Sequence, residues 1–185
     1  MNGITTLSQQ IIKYKNIPKL FVFDLDLTLW ECDGTWIDTC SGPPFTFDKN
    51  SDQLMPQAKT RSNGKCEIYK DGWIILHALR EARNNGADLK LAVASRTEEP
   101  KWARELLEVL NIWSWFDYKE IYPSTKTKHF ASLKKSSGLE YEEMIFFDDE
   151  QRNIDAVGKL GVTCVYTRKG VSIASFLKGL EQHEK

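Results

Sequence analysis

From residue 71 onward the chain alternates short apolar runs with amphipathic stretches, and few folds accept that rhythm. Ile75, Leu79 and Ala82 recur at helical spacing, and Gly86 stops that helix. Residues 89–94, apolar but for Lys90, read as a strand. Ala103, Leu106, Leu107 and Leu110 then mark one face of a helix. A short strand at 118–122, a helix at about 126–136 and a strand at 144–147 follow. A helix ending before Gly161, a strand at 162–166 and a closing helix at 172–183 complete the series. Strands alternating with helices predict an α/β fold, a doubly wound, Rossmann-like parallel sheet covered on both faces. Functional sites in such sheets lie beyond the carboxyl ends of the strands.

A further strand comes earlier, at 20–25, and runs into Asp24-Leu25-Asp26-Leu27-Thr28. A carboxylate at the end of an apolar strand is costly to desolvate without a cation or hydrogen bonds. Two acids two positions apart also repel, so the pair calls for a metal ion or a raised pKa. Period-two strand geometry would point both side chains to the same side. Three other apolar strands end in polar groups: Ser95-Arg96-Thr97, Lys126 within Tyr122-Pro123-Ser124-Thr125-Lys126, and Asp148-Asp149. A parallel sheet brings all four groups to one rim. Together they offer a nucleophile, a proton carrier, donors for an anion and a metal-binding acid. That inventory fits phosphoryl transfer, where positioning and charge neutralisation supply most of the catalysis. Hard carboxylate oxygens suit Mg2+.

The 185 residues fit one domain with a substantial core. Residues 1–18 read as an N-terminal extension, part helical and packed on the outside or loose, and residues 19–185 as a single domain. Within it, 31–70 is rich in Gly, Pro, Ser, Asn, Thr and Asp and reads as an irregular insert near the site. A net charge of -1 gives no reason to expect a nucleic-acid partner. No apolar window approaches the ~18 residues of a membrane span, and no secretory signal is evident. The four cysteines, at 32, 40, 66 and 164, contain no close Cys-x-x-Cys pair. They predict a reduced, cytoplasmic protein without a cysteine-bound zinc.

Asp24-Leu25-Asp26-Leu27-Thr28, Ser95, Lys126 and Asp148-Asp149, in this order, resemble the four motifs of the haloacid dehalogenase superfamily. The longer stretches 23–30, 94–97, 120–123 and 146–150, with Arg152-Asn153-Ile154, are similar to the eukaryotic magnesium-dependent phosphatases of type one. The likeness spans about residues 18–181. It implies a haloacid dehalogenase-like fold with minimal or no cap. It also implies Mg2+-dependent phosphomonoester hydrolysis through an aspartyl-phosphate. By position, Asp24 would be the nucleophile and Asp26 the acid and base. Asp24, Asp149 and the carbonyl of Asp26 would hold Mg2+. Ser95, Arg96 and Lys126 would bind the phosphoryl group, while Thr28, Asp148 and Asn153 would support the metal ligands. The substrates implied are a phosphoprotein, as in protein-tyrosine dephosphorylation, or a phosphorylated small molecule such as a sugar or ketosamine. Leu27 departs from the Tyr usual among the nearest family members, and the 31–70 insert is longer than theirs.

Each residue also has a plainer reading. Ser95 or Thr97 could cap a helix, Arg96 could pair with Glu98 or Glu99, and His129 is better read as packed than catalytic. Trp30 and Trp36 could line the entrance or the core. The rival functions are a phospho-receiver-like signalling module and a non-catalytic relative of the fold. In a receiver the acid pair closes the first strand, the reverse of the order here.

Overall fold

A computed structural model describes residues 2–52 and 54–185. Met1, in the expected extension, and Gln53, in the expected insert, lie outside the described residues. The chain runs α1 (Asn2–Lys13), β1 (Leu20–Phe23), β2 (Trp30–Cys32), a 3-10 turn (Ile37–Thr39), β3 (Thr46–Phe47), β4 (Gln57–Lys59) and β5 (Lys65–Ile68). It continues α2 (Lys70–Asn84), β6 (Lys90–Ser95), α3 (Pro100–Val109), β7 (Tyr118–Ile121) and α4 (Lys126–Ser137). It closes with β8 (Met144–Asp148), α5 (Gln151–Gly158), β9 (Thr163–Tyr166) and α6 (Ile173–His183).

Five strands form the parallel sheet expected from the alternation, in the order β7-β6-β1-β8-β9. β1 is central, and all four of its residues are buried. Phe21 and Phe23 face one core, where Phe23 stacks on Phe147 and Phe21 on Phe176. Leu20 and Val22 face the other, with Phe130 and Phe146. A strand covered on both faces needs apolar residues at every position, so the run has no polar alternation. Phe23 sits level with Val93 of β6 and with Phe147 of β8. The residues that follow these three strands therefore emerge side by side.

Two segments are more ordered than the sequence alone required. Residues 2–13 are a helix packed on α2, with Leu7 and Ile11 buried in the main core. The backbone N–H of Lys15 also donates to Glu184, 2.8 Å away, tying the two ends of the chain together. The segment is amphipathic, but polar residues between its few apolar ones hide the stripe. The insert is likewise ordered, as a four-stranded antiparallel sheet in the order β2-β5-β4-β3. Strands of two to four residues are too short to leave a readable alternation. We call this insert the cap; it reaches the rim through Trp36 and Asp38, between β2 and β3. The expectation of four reduced cysteines also fails, because Cys32 and Cys66 form a disulfide across β2 and β5. Among the described residues, no helix is long and apolar enough to cross a membrane.

Candidate active site

β1 ends at Phe23, one residue before the first acid. The N–H of Asp24 donates to the carbonyl of Phe147 at 2.9 Å, and the chain then turns sharply. The carbonyl of Leu25 accepts the N–H groups of Thr28, Leu29 and Trp30 at 3.2, 2.8 and 3.1 Å. Leu27 is driven to φ 57°, a left-handed backbone that costs a non-glycine residue about 1–2 kcal/mol. A tight turn, rather than the alternation of a strand, thus sets Asp24 and Asp26 against one cavity.

The other groups arrive from the neighbouring strands. Lys126 is the first residue of α4 and is almost wholly buried. Its Nζ donates to Oδ1 of Asp24 at 2.5 Å and to the carbonyl of Ala94, and lies 3.1 Å from Oδ2 of Asp148. One ammonium therefore joins the ends of β1, β6 and β8. Asp148 is fully buried and accepts from the N–H of Glu150 at 2.8 Å and from Nδ2 of Asn153 at 3.0 and 3.1 Å. Asn153 also donates to Oε2 of Glu150 at 2.9 Å. Thr28 stands 3.5 Å from Oδ1 of Asp149 and 3.4 Å from the hydroxyl of Thr167.

A cavity of about 280 Å³ opens at this rim. Asp24, Asp26, Ser95, Arg96, Lys126, Asp149 and Asn153 line it, while Thr28 and Asp148 stand outside its lining. Ser95 and Thr97 do not cap α3, which begins at Pro100 after Glu99. Ser95 Oγ accepts the N–H of Thr97 at 3.3 Å, and Thr97 Oγ1 accepts that of Glu99 at 3.0 Å. Arg96 does not pair with Glu98 or Glu99. It donates through Nε to the carbonyl of Ser124 at 3.0 Å and meets Glu150 at 3.4 Å. His129 is packed against Tyr122, with Nε2 3.0 Å from its carbonyl, away from the cavity lining.

Three residues have roles that the sequence did not show. Trp30 is buried and donates its indole N–H to Oδ1 of Asp26 at 2.9 Å. The signal was its place four residues after the acid. Asp38, from the insert, accepts from the hydroxyl of Thr97 and from the N–H of Glu98, the latter at 3.3 Å. Glu150 receives Arg96, Arg152 and Asn153. Nothing in the sequence marks these last two, because their partners lie far along the chain or belong to the helix start.

The electrostatics are those of acids short of a cation. Burial pushes the Asp24 carboxyl well above the usual carboxylate range; Lys126 pulls it down, and Asp148 and Asp26 push it up. Burial raises Asp26 to about 6, against the pull of its bonds from Ile37 and Trp30. Burial, then the charge of Asp148, raises Asp149 to about 6. Burial opposes the charge on Lys126, but Asp24 and Asp148 outweigh it, and its pKa is raised. One ammonium cannot neutralise this many carboxylates. A hard divalent cation held by Asp24, Asp149 and the carbonyl of Asp26 fits the donor set.

A family model described as acid phosphatase matches residues 16–185. Human magnesium-dependent phosphatase 1 is 40% identical over 169 residues, covering 91% of this chain and 89% of that protein. A HAD-like hydrolase superfamily protein of Schizosaccharomyces pombe is 36% identical over 179 residues, covering 91% of this chain and 97% of its own. The crystal structure of the N-terminal part of a Bacteroides fragilis protein, containing a phosphatase domain complexed with Mg, is similar with a TM-score of 0.60 and 17% identity. That likeness covers 94% of this chain and 43% of the other, and bears on the fold. The chain belongs to the acid phosphatase family of the haloacid dehalogenase superfamily.

Proposed function

We propose that the protein is a Mg2+-dependent phosphatase that hydrolyses phosphomonoesters through a phosphorylated Asp24. The observation that carries this reading is the single cavity lined by Asp24, Asp26, Ser95, Lys126 and Asp149. The names of the relatives point to the same metal and the same class of reaction. When bound, Mg2+ keeps the carboxylates ionised and draws charge from the phosphoryl oxygens.

A carboxylate oxygen of Asp24 attacks phosphorus, the bond from phosphorus to the ester oxygen breaks, and Asp26 gives that oxygen its proton. Water then attacks phosphorus, Asp26 takes its proton, and the bond to Asp24 breaks to release phosphate. The raised pKa of Asp26, about 6, suits a group that must both give and take a proton near neutrality. Oδ1 of Asp26 is held by Trp30 and by the N–H of Ile37, so the carboxyl is fixed in orientation. Lys126 and the hydroxyl of Ser95 supply donors for the phosphoryl oxygens, and Arg96, on the same lining, adds a further cation.

The rim is open, with Trp36 and Arg152 on its lining. It favours a phosphate carried on a large body, such as a protein phosphotyrosine or a sugar or ketosamine phosphate on a protein. Aryl phosphate offered with Mg2+ should be hydrolysed, and rapid chemical quench should trap phosphate on Asp24. Asp24→Asn should fold and lose both signals. Hydrolysis by Asp24→Asn at a near-normal rate would overturn the covalent route.

A further inference from the structure

Three sulfurs meet in the cap, outside the cavity lining. The Sγ atoms of Cys32, Cys40 and Cys66 all lie within 4.8 Å of one another. The pairing of β2 with β5 sets Cys32 opposite Cys66, 34 residues away, and both are fully buried. Cys40 follows the Ile37–Thr39 turn and keeps a free thiol. Sequence spacing could not reveal this group, because strand register and a turn assemble it. The cap has good use for a staple. Its strands are two to four residues long, and Ala58, Ile68 and Ile37 are among the few apolar side chains buried with the cysteines. A sheet of that size is marginal without a crosslink or a metal.

We propose that, once the Cys32–Cys66 bond is reduced, Cys32, Cys40 and Cys66 form a three-thiolate site for a thiophilic divalent cation of the Zn2+ class. A small thiol reductant supplies two electrons, the S–S bond breaks, both sulfurs take up protons, and the reductant leaves as its own disulfide. Binding then forms three metal–sulfur bonds and releases three protons. Burial raises the Cys40 thiol above its ordinary value, so in the free chain it is protonated and contributes one of them. Sulfurs ~2.3 Å from a common ion sit within ~4 Å of one another, a spacing that small side-chain rotations reach from the observed one. Soft thiolates favour such an ion over Mg2+, which keeps to the carboxylates.

The location gives the site a consequence. The disulfide joins β2 to β5 only. An ion shared with Cys40 also holds the loop that follows Ile37–Thr39, the turn that donates Ile37 N–H to Asp26 at 2.8 Å and carries Asp38 to Thr97. Soft-metal occupancy would therefore firm the wall that orients Asp26.

The test uses the full chain, reduced, stripped with chelator and held in excess Mg2+ to fill the carboxylate site. Cd2+ serves as the probe, because bonding to sulfur gives an ultraviolet charge-transfer band that carboxylate binding does not. One Cd2+ per reduced chain, displaced by Zn2+, is expected, and none in the unreduced chain. Cys40→Ser leaves the disulfide pair intact and should weaken binding more than about tenfold, at least the loss that removing an outer partner of a ligand can cause. Cys164→Ser should bind as the wild type does. Absence of the sulfur band in the reduced chain, or unchanged affinity in Cys40→Ser with native circular dichroism, would overturn the proposal. Neither readout depends on hydrolysis, so the phosphatase reading stands or falls separately.

Discussion

The indole N–H of Trp30 lies 2.9 Å from Oδ1 of Asp26, across the turn that carries both residues. That oxygen also accepts from the N–H of Ile37 at 2.8 Å. Two donors on one oxygen fix the carboxyl plane and hold its pKa below what burial alone would impose. Trp30→Phe keeps an aromatic ring in the core but deletes the donor and leaves a small void where the larger, fully buried indole stood. We expect a loss of about 1–3 kcal/mol in stability. Turnover of alkyl phosphates should fall roughly ten- to hundred-fold, as misplaced catalytic groups do. The loss should be smaller for p-nitrophenyl phosphate, whose leaving group needs no proton. Equal losses on both substrates would separate Trp30 from the acid role of Asp26.

Without metal, the acids of the site should make stability depend on pH in an unusual direction. Asp26 and Asp149 are raised to about 6, and Asp24 is raised as well. The folded pKa of each exceeds its unfolded value of about 3.9, so folding favours the protonated form. That contribution is complete below about pH 4 and is lost as pH climbs through about 6. Mg2+ needs the ionised form and should reverse the trend. At pH 7.5, Mg2+ at 100 times its Kd should add ~2.7 kcal/mol to the unfolding free energy. At pH 5 the gain should be much smaller, and Asp149→Ala should abolish it. Chemical denaturation with and without Mg2+ measures this. A Mg2+ effect at pH 7.5 that survives in Asp149→Ala would remove Asp149 from the ligand set.

The parallel sheet was legible because both of its signals are local. The apolar run of β1 needs no partner to be recognised, and neither does the stripe of Ala103, Leu106 and Leu107 on α3. The acids were legible because they follow such runs, and Lys126 because it opens the helix after a short strand. What stayed hidden depends on contacts distant in sequence. Asp38 matters through Thr97, 59 residues away, and Cys40 through a register that spacing does not encode. The turn at Asp24–Asp26 was misjudged for another reason. Asp24 and Asp26 alternate with Phe23, Leu25 and Leu27 as in a continuing strand, whereas in the fold three N–H groups converge on the Leu25 carbonyl and the chain turns there. For the N-terminal extension, part-helical and loose readings both stayed open, since Leu7 and Ile11 are too few to announce a core.

Trp36 is half exposed on the lining of the cavity, with its backbone leading into the Ile37–Thr39 turn. An indole so placed can lie against an aryl leaving group, a contact worth about 0.5–1.5 kcal/mol. Trp36→Ala preserves the backbone carbonyl that Thr39 uses. We expect KM for phosphotyrosine peptides to rise several-fold, up to about tenfold. KM for glycerol phosphate should not change. An equal rise for both would indicate that the loss of Trp36 disturbs the phosphate site itself and does not set specificity.

His129 gives a pH dependence of opposite sign and away from the metal. Its ring is buried beside Tyr122, and burial, with the charge of Lys126, lowers its pKa to about 4. The unfolded value is about 6.5, so folding favours the neutral ring. The contribution is full above about pH 6.5 and drains away as pH falls toward about 4, at a slope of up to ~1.4 kcal/mol per pH unit. The raised acids titrate in the same window with the reverse sign, so the wild-type curve alone mixes the two. The difference between wild type and His129→Gln isolates the histidine. At pH 7 the variant should be the less stable, through lost packing. As pH falls from 6.5 to 4 the gap should narrow, because only the wild type pays for protonating a buried ring. Urea denaturation of both chains in EDTA measures the gap. A gap independent of pH would mean that the imidazole reaches solvent and titrates normally.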